Sequence, residues 1–183
     1  MRYIGNKSKL INVLESLLED KGLNKKGLIF CDMFAGTCTV GDSFKNKYEI
    51  IANDTLYFSY AISNGKLKYN KNFFSELGFD PFSYFNNVNT ENYTSGFCYN
   101  NFASTVSGRQ YFSDENAKLI DFIRNTIDIW FDEKKINEYE KYYLIGSLLE
   151  SVSKVSNVAG VYSAYLKIWD SRALKKMEFI PLD

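Results

Sequence analysis

Histidine is absent from this 183-residue chain, which removes the Ser-His and Cys-His pairs that activate most hydroxyl and thiol nucleophiles. Cysteine is scarce: Cys31, Cys38 and Cys98 are too widely spaced, with no histidine beside them, to form a zinc site of the usual pattern. No metal site is expected. An odd cysteine count without a leader-like segment points to a reducing compartment, so a soluble, cytoplasmic chain is the expectation. Net charge is also lacking, because 22 basic residues balance 22 acidic ones. A nucleic-acid partner would therefore have to be held by a local basic patch. No apolar run approaches the ~20 residues that span a bilayer. What is abundant is apolar and aromatic side chain, 45% and 17% respectively, enough for one domain with a sizeable core. Fourteen Tyr and fifteen Phe can serve that core or stack on bases.

The pattern opens with Leu10, Ile11, Leu14, Leu17 and Leu18 at helical spacing, predicting an amphipathic helix from Ser8, its cap candidate, to Asp20. Leu28 to Phe34 is a short apolar run after Gly27, as a buried strand would be. A glycine-bearing turn and a helix-compatible stretch follow, then a second short strand, Glu49 to Ala52, and a helix-compatible stretch from Leu56 to Leu67. Strand, glycine turn, helix, strand, acid, helix is the opening of a doubly wound α/β sheet. Residues 68–109 change character: they are rich in Asn, Ser, Thr, Tyr and Phe, contain Pro81 and show little periodicity, predicting a loop-rich inserted unit. Helical spacing resumes after the Ser113-Asp114-Glu115 cap, with Leu119, Ile120, Ile123, Ile127 and Trp130 on one stripe. It returns over about Glu138 to Ser156, with Leu144, Leu148, Leu149 and Val152.

The strongest local constellation is DMFAGTCTVG, Asp32 to Gly41, placed straight after the first strand. A tight turn there lets backbone amides approach a ligand, and glycine removes the side chain that would block them. Asp54 ends the second strand about twenty residues on, where a carboxylate can accept both hydroxyls of a ribose. The plainer reading, a turn glycine and a capping carboxylate, stands beside it. At the N-terminus, Tyr3 can pack on a flat ring and Lys7 can meet a carboxylate; a solvated lysine on a frayed end is the alternative.

The RYIGNKSKL start, the DMFAGTCTVG turn and the AND after the second strand together resemble three motifs of the Dam-like adenine-N6 DNA methyltransferases of restriction-modification systems. The stretches RQYFSDENAKLIDFIR and LIGSLLESVSKVSNVAGVYSAYLKIWDSRALKK are similar to one branch of that family. The resemblance spans most of the chain outside the variable middle. It implies an α/β, Rossmann-like S-adenosylmethionine-binding sheet, here incomplete, with a mostly helical DNA-recognition insertion. It further implies S-adenosyl-L-methionine as cofactor, with Tyr3 packing near it, Lys7 pairing with its carboxylate, Asp54 on its ribose, and the backbone of Phe34, Ala35 and Gly36 beside its methionine part. Two departures stand out. Cys38 occupies a position where the family usually has glycine, which would narrow the turn. The family's Asp-Pro-Pro-Tyr is absent, the nearest string being Asp80-Pro81-Phe82-Ser83-Tyr84, and no residue here takes the catalytic role.

That missing motif matters because the adenine amine is a poor nucleophile; the family's loop accepts hydrogen bonds from it and stacks a tyrosine on the flipped base. The division expected is 1–67 as the first part of the cofactor domain, 68–172 as a target-recognition and helical insertion, and 173–183 as the return toward the rest, with the closing FIPLD, Phe179 to Asp183, reading as a strand. The expectation is a catalytically incomplete piece, whether an engineered truncation, a proteolytic remnant or a split-gene product whose second chain supplies the catalytic half. Double-stranded DNA is the expected partner. Arg109 and Asn101, in a set with Tyr93, Asn100, Ser107 and Gln110, are its candidate contacts, a polar surface loop being the alternative. Lys154 and Arg172, with Tyr162, Tyr165 and Lys167, form a second polar-aromatic cluster that either lines the DNA cleft or faces the missing half. A non-catalytic DNA- or partner-binding module remains open. A dehydrogenase ranks last, since Gly36, Cys38 and Gly41 do not fit G-x-G-x-x-G.

Overall fold

Residues 7–70, 72–160 and 162–183 are described by a computed structural model. The first helical turn is a 3-10 turn over Ser8–Leu10, and α1 proper runs Ile11–Asp20 with no side-chain cap at Leu10. Strand β1 (Ile29–Asp32) and strand β2 (Glu49–Ala52) pair in parallel, Ile29 opposite Glu49 and Asp32 opposite Ala52. Parallel neighbours need a crossover, and α2 (Thr39–Phe44) provides it. Phe30 packs on Phe44 and Tyr48 at ring separations of 5.2 and 5.8 Å, which covers one face of the pair. Ile29 and Ile51, pointing the other way, are 61% and 49% exposed. The expected fully buried strand over 28–34 is thus a four-residue strand covered on one side, and the described sheet has two strands.

Helix α3 (Tyr57–Lys68) leads from the sheet into a helical layer. Three short helices follow, α4 (Pro81–Asn86), α5 (Phe97–Phe102) and α6 (Ser104–Ser107), and then two long ones, α7 (Asp114–Asp132) and α8 (Glu138–Val155). The long helices match their periodicity: Leu119, Ile123, Ile127 and Trp130 of α7 and Leu144 and Leu148 of α8 are buried. Both start on strong caps. Ser113 accepts from the Asn116 amide, and Asn137 forms a reciprocal capping box with Glu140. Helices α3 and α8 pack closely because Gly65 faces the contact, while Gly146 of α8 makes room for Leu182. A Cβ at Gly65 would lie 2.9 Å from the Tyr143 Cα.

The middle segment joins three short helices by loops and also contributes core. Phe85, 1% exposed, lies 5.0 Å from both Trp130 and Phe179, and Phe82 stacks on Phe179 at 5.1 Å. Each such pair adds about 0.5–1.5 kcal/mol beyond burial. The Asp80-Pro81 string caps α4: Asp80 accepts from the amides of Phe82 and Ser83, with Pro81 at the first helical position. Residues 175–183, including the expected strand from Phe179 to Asp183, form no sheet pairing among the described residues. Their amides are taken by side chains instead. Met177 donates to Asn116 Oδ1, Phe179 to Asn86 Oδ1, Ile180 to Ser151 Oγ and Leu182 to Ser147 Oγ, at 2.8–3.0 Å. The tail is an extended strap laid along α8. No described helix is long and apolar enough to cross a membrane.

Candidate ligand cleft and polar surface

The loops leaving β1 and β2 are zipped together beyond the sheet. Asn53 donates its backbone N–H to Asp32 O (2.8 Å) and its side-chain amide to Met33 O (3.0 Å), while Ala35 N–H donates to Asn53 O (2.9 Å). Gly36 turns with φ +54° and donates to Asp54 Oδ2 at 2.8 Å. The other Asp54 oxygen accepts from Leu56 N–H at 3.0 Å. These two donors, Leu56 foremost, hold the Asp54 carboxyl below its ordinary value of 3.8. The Ser59 hydroxyl and the Thr55 amide act on the carboxyl in the same direction.

A cleft of about 680 Å³ opens beside this turn, at the carboxyl ends of the strands. Lys7, Phe34, Ala35, Gly36 and Asp54 all line it. Tyr3, the sixth residue expected there, lies outside the described residues. The cleft also takes in Asp32, and Leu10 and Leu14 form an apolar wall. Sequence reasoning assigned Asp32 no role, although its place at the strand end, just before the turn, was the available signal. Leu10 and Leu14 read only as a helix stripe. One cation, two carboxylates and apolar walls in a space of this size suit a small amphipathic ligand with both charges.

Cys38 does not narrow the cleft. It adopts a left-handed conformation (φ +57°, ψ +24°) and is fully buried, turned inward beside Gly41 and Ser63. Burial pushes its thiol pKa up. Among the described residues no group of three or more Cys, Asp or Glu could hold a metal ion.

The expected DNA residues divide by environment. Arg109, on the turn after α6, and Lys154, near the end of α8, are exposed. Asn101 is half-buried and donates to Phe97 O at 2.8 Å. Arg172 is engaged within the fold. Its Nε donates to Asp170 Oδ2 at 2.8 Å, and its terminal nitrogens donate to the carbonyls of Ser153, Ser156 and Val158 at the end of α8.

A parallel strand pair with a crossover helix and a cleft at the strands' carboxyl ends places the chain in the α/β class. It belongs more narrowly to the D12 class N6 adenine-specific DNA methyltransferase family, whose model it matches over residues 3–183. It is 41% identical to "Modification methylase LlaI" of Lactococcus lactis subsp. lactis, over 100% of this chain and 30% of that protein. It is 39% identical to "Type II methyltransferase M.FokI" of Planomicrobium okeanokoites (100% and 29%), and 38% identical to "Type II methyltransferase M.NlaIII" of Neisseria lactamica (99% and 54%). The chain therefore spans under a third of the first two relatives and about half of the third. No solved structure matches it.

Proposed function

We propose that this chain binds S-adenosyl-L-methionine in the cleft beside Gly36 and serves a type II modification methylase that methylates adenine at its exocyclic amine in double-stranded DNA. The observation that carries the reading is the convergence of Lys7, the Phe34–Gly36 turn and Asp54 on one cleft. On this reading β1, α2 and β2 open a Rossmann-like cofactor sheet within residues 1–67. Residues 68–172 form the target-recognition unit, residues 173–183 lead onward, and the chain works in the cytoplasm.

When bound, the cofactor supplies an electrophilic methyl group on a sulfonium. Lys7 meets the carboxylate of its methionine part, and Asp54 accepts the ribose hydroxyls. The backbone of Phe34, Ala35 and Gly36 lies beside the methionine part, and Tyr3 is assigned to the cofactor's surroundings. Arg109 and Lys154 hold phosphates, and Asn101 lies near the bases. The Asp-Pro-Pro-Tyr string is absent from these 183 residues, so binding, and not the transfer step, is the role given to them.

Calorimetric titration of the chain with S-adenosylmethionine and with S-adenosylhomocysteine tests this reading. Saturable binding to a single site, weakened by Asp54→Ala, is expected; a well-folded chain that binds neither compound overturns it.

A further inference from the structure

Asn157 is fully buried, yet its polar atoms reach two separate stretches of chain, 110–111 and 166–170. Its side-chain amide donates to Gln110 O and to Leu166 O, both at 2.9 Å, and its Oδ1 accepts from Asp170 N–H at 2.9 Å. Its backbone N–H donates to Tyr111 O, and its carbonyl accepts from Leu166 N–H, both at 2.8 Å. An isolated bridge between Val158 and Tyr165 continues the same junction. Arg172 braces it from outside by binding the carbonyls on either side, Ser156 and Val158, at 2.9 Å each.

Two of the residues held there adjoin exposed cations: Gln110 follows Arg109, and Leu166 precedes Lys167. The stretch 166–176 carries Lys167, Arg172, Lys175 and Lys176 against Asp170 alone, in a chain whose total charge is zero. Asp170 is paired with Arg172, which leaves the field of this stretch to its exposed lysines. Such a local excess on a neutral protein suits a polyanion.

We propose that Asn157 is a positioning residue for the duplex-facing surface, holding the turn that carries Arg109 and the segment that carries Lys167 together so that both cations meet the DNA backbone. Arg172, as a brace of that junction, acts through Asn157 and not on a phosphate. The inference rests on the DNA reading above.

The test follows binding of the full chain to a short fluorescein-labelled duplex, by anisotropy, across about 50 to 200 mM salt. Arg109→Ala and Lys167→Ala should each reduce the slope of log affinity against log salt by about 0.9. Asn157→Ala should reduce it by about the sum of the two and weaken binding about tenfold or more, while S-adenosylhomocysteine affinity stays within about twofold. A purely structural defect would not single out the salt slope. Asn157→Ala with unchanged slope and affinity overturns the inference while leaving the DNA reading intact. A wild-type chain that binds no duplex overturns both. Should Asn157→Ala lose its helical circular dichroism, the Arg109→Ala/Lys167→Ala double variant decides. A fall of the slope by about 1.8 supports a shared surface, and no fall refutes it.

Discussion

Replacing Asp54 by alanine tests both the shape of the turn and its proposed ligand. In the free protein the carboxylate accepts two backbone hydrogen bonds, from Gly36 and Leu56. Hydrogen bonds to a charged group contribute about 1.5–3 kcal/mol when buried, and nearer 1 kcal/mol each in a cleft open to water. Asp54→Ala should therefore lower stability by about 1–2 kcal/mol and weaken S-adenosylhomocysteine about tenfold or more, one decade being about 1.4 kcal/mol. Asp54→Asn should not rescue either loss. Its single oxygen cannot serve both loops, and its NH₂ must face one of the two N–H donors. The pH dependence has a definite sign. A carboxyl held below 3.8 in the folded state contributes fully above that value, and the contribution disappears as pH falls through the lowered one. The stability gap between wild type and Asp54→Asn should be constant near neutrality and close only in strong acid. Urea unfolding and calorimetry read these quantities. Cofactor binding by wild type that Asp54→Ala leaves within about twofold would refute the reasoning.

Other substitutions examine the packing. Cys38→Gly removes a left-handed strain of about 1 kcal/mol and loses a buried thiol of similar worth. Thermal stability should change by under about 1 kcal/mol and cofactor affinity not at all; a marked loss of affinity would put the side chain in the cleft. Gly65→Ala places a Cβ 2.9 Å from the Tyr143 Cα, whereas Gly146→Ala meets chiefly the movable end of Leu182 at 2.6 Å. Gly65→Ala should thus cost about 2–3 kcal/mol in urea unfolding and Gly146→Ala less, and the reverse order would contradict the helix contact described. Thiol titration at mildly alkaline pH should show one fast group, exposed Cys31. Cys38 and Cys98 should react only on unfolding, Cys98 being pushed up to about 12 by burial.

Much of the fold was legible wherever a pattern is local. The stripes of α7 and α8 and the cap at Ser113 stand in consecutive residues, and the glycine turn punctuates β1 as expected. The cleft was legible for Lys7, Phe34–Gly36 and Asp54 because each flanks an element end. Structure built by distant partners was not. Helix α4 is held by Phe85 against Trp130, forty-odd residues away, and the amides of α5 are answered by Asp121, more than twenty residues on. The strap over α8 misled for the same reason: FIPLD has strand-like composition, but Ser147, Ser151, Asn86 and Asn116 supply the acceptors a neighbouring strand would have offered. Arg172 looked like a surface cation because nothing adjacent in sequence, apart from Asp170, announces the carbonyls it binds.

The Asp121 carboxylate bears on how α5 is held. It accepts from Gly96, Cys98 and Tyr99 at 2.8–2.9 Å, and Gly96 has no room for a Cβ beside it. Helix α5 has six residues and no side-chain cap at its own N-cap, too few to nucleate unaided. Its first turn is thus tied to α7, and any excursion that frays α7 around Asp121 removes the acceptors on which the start of α5 depends.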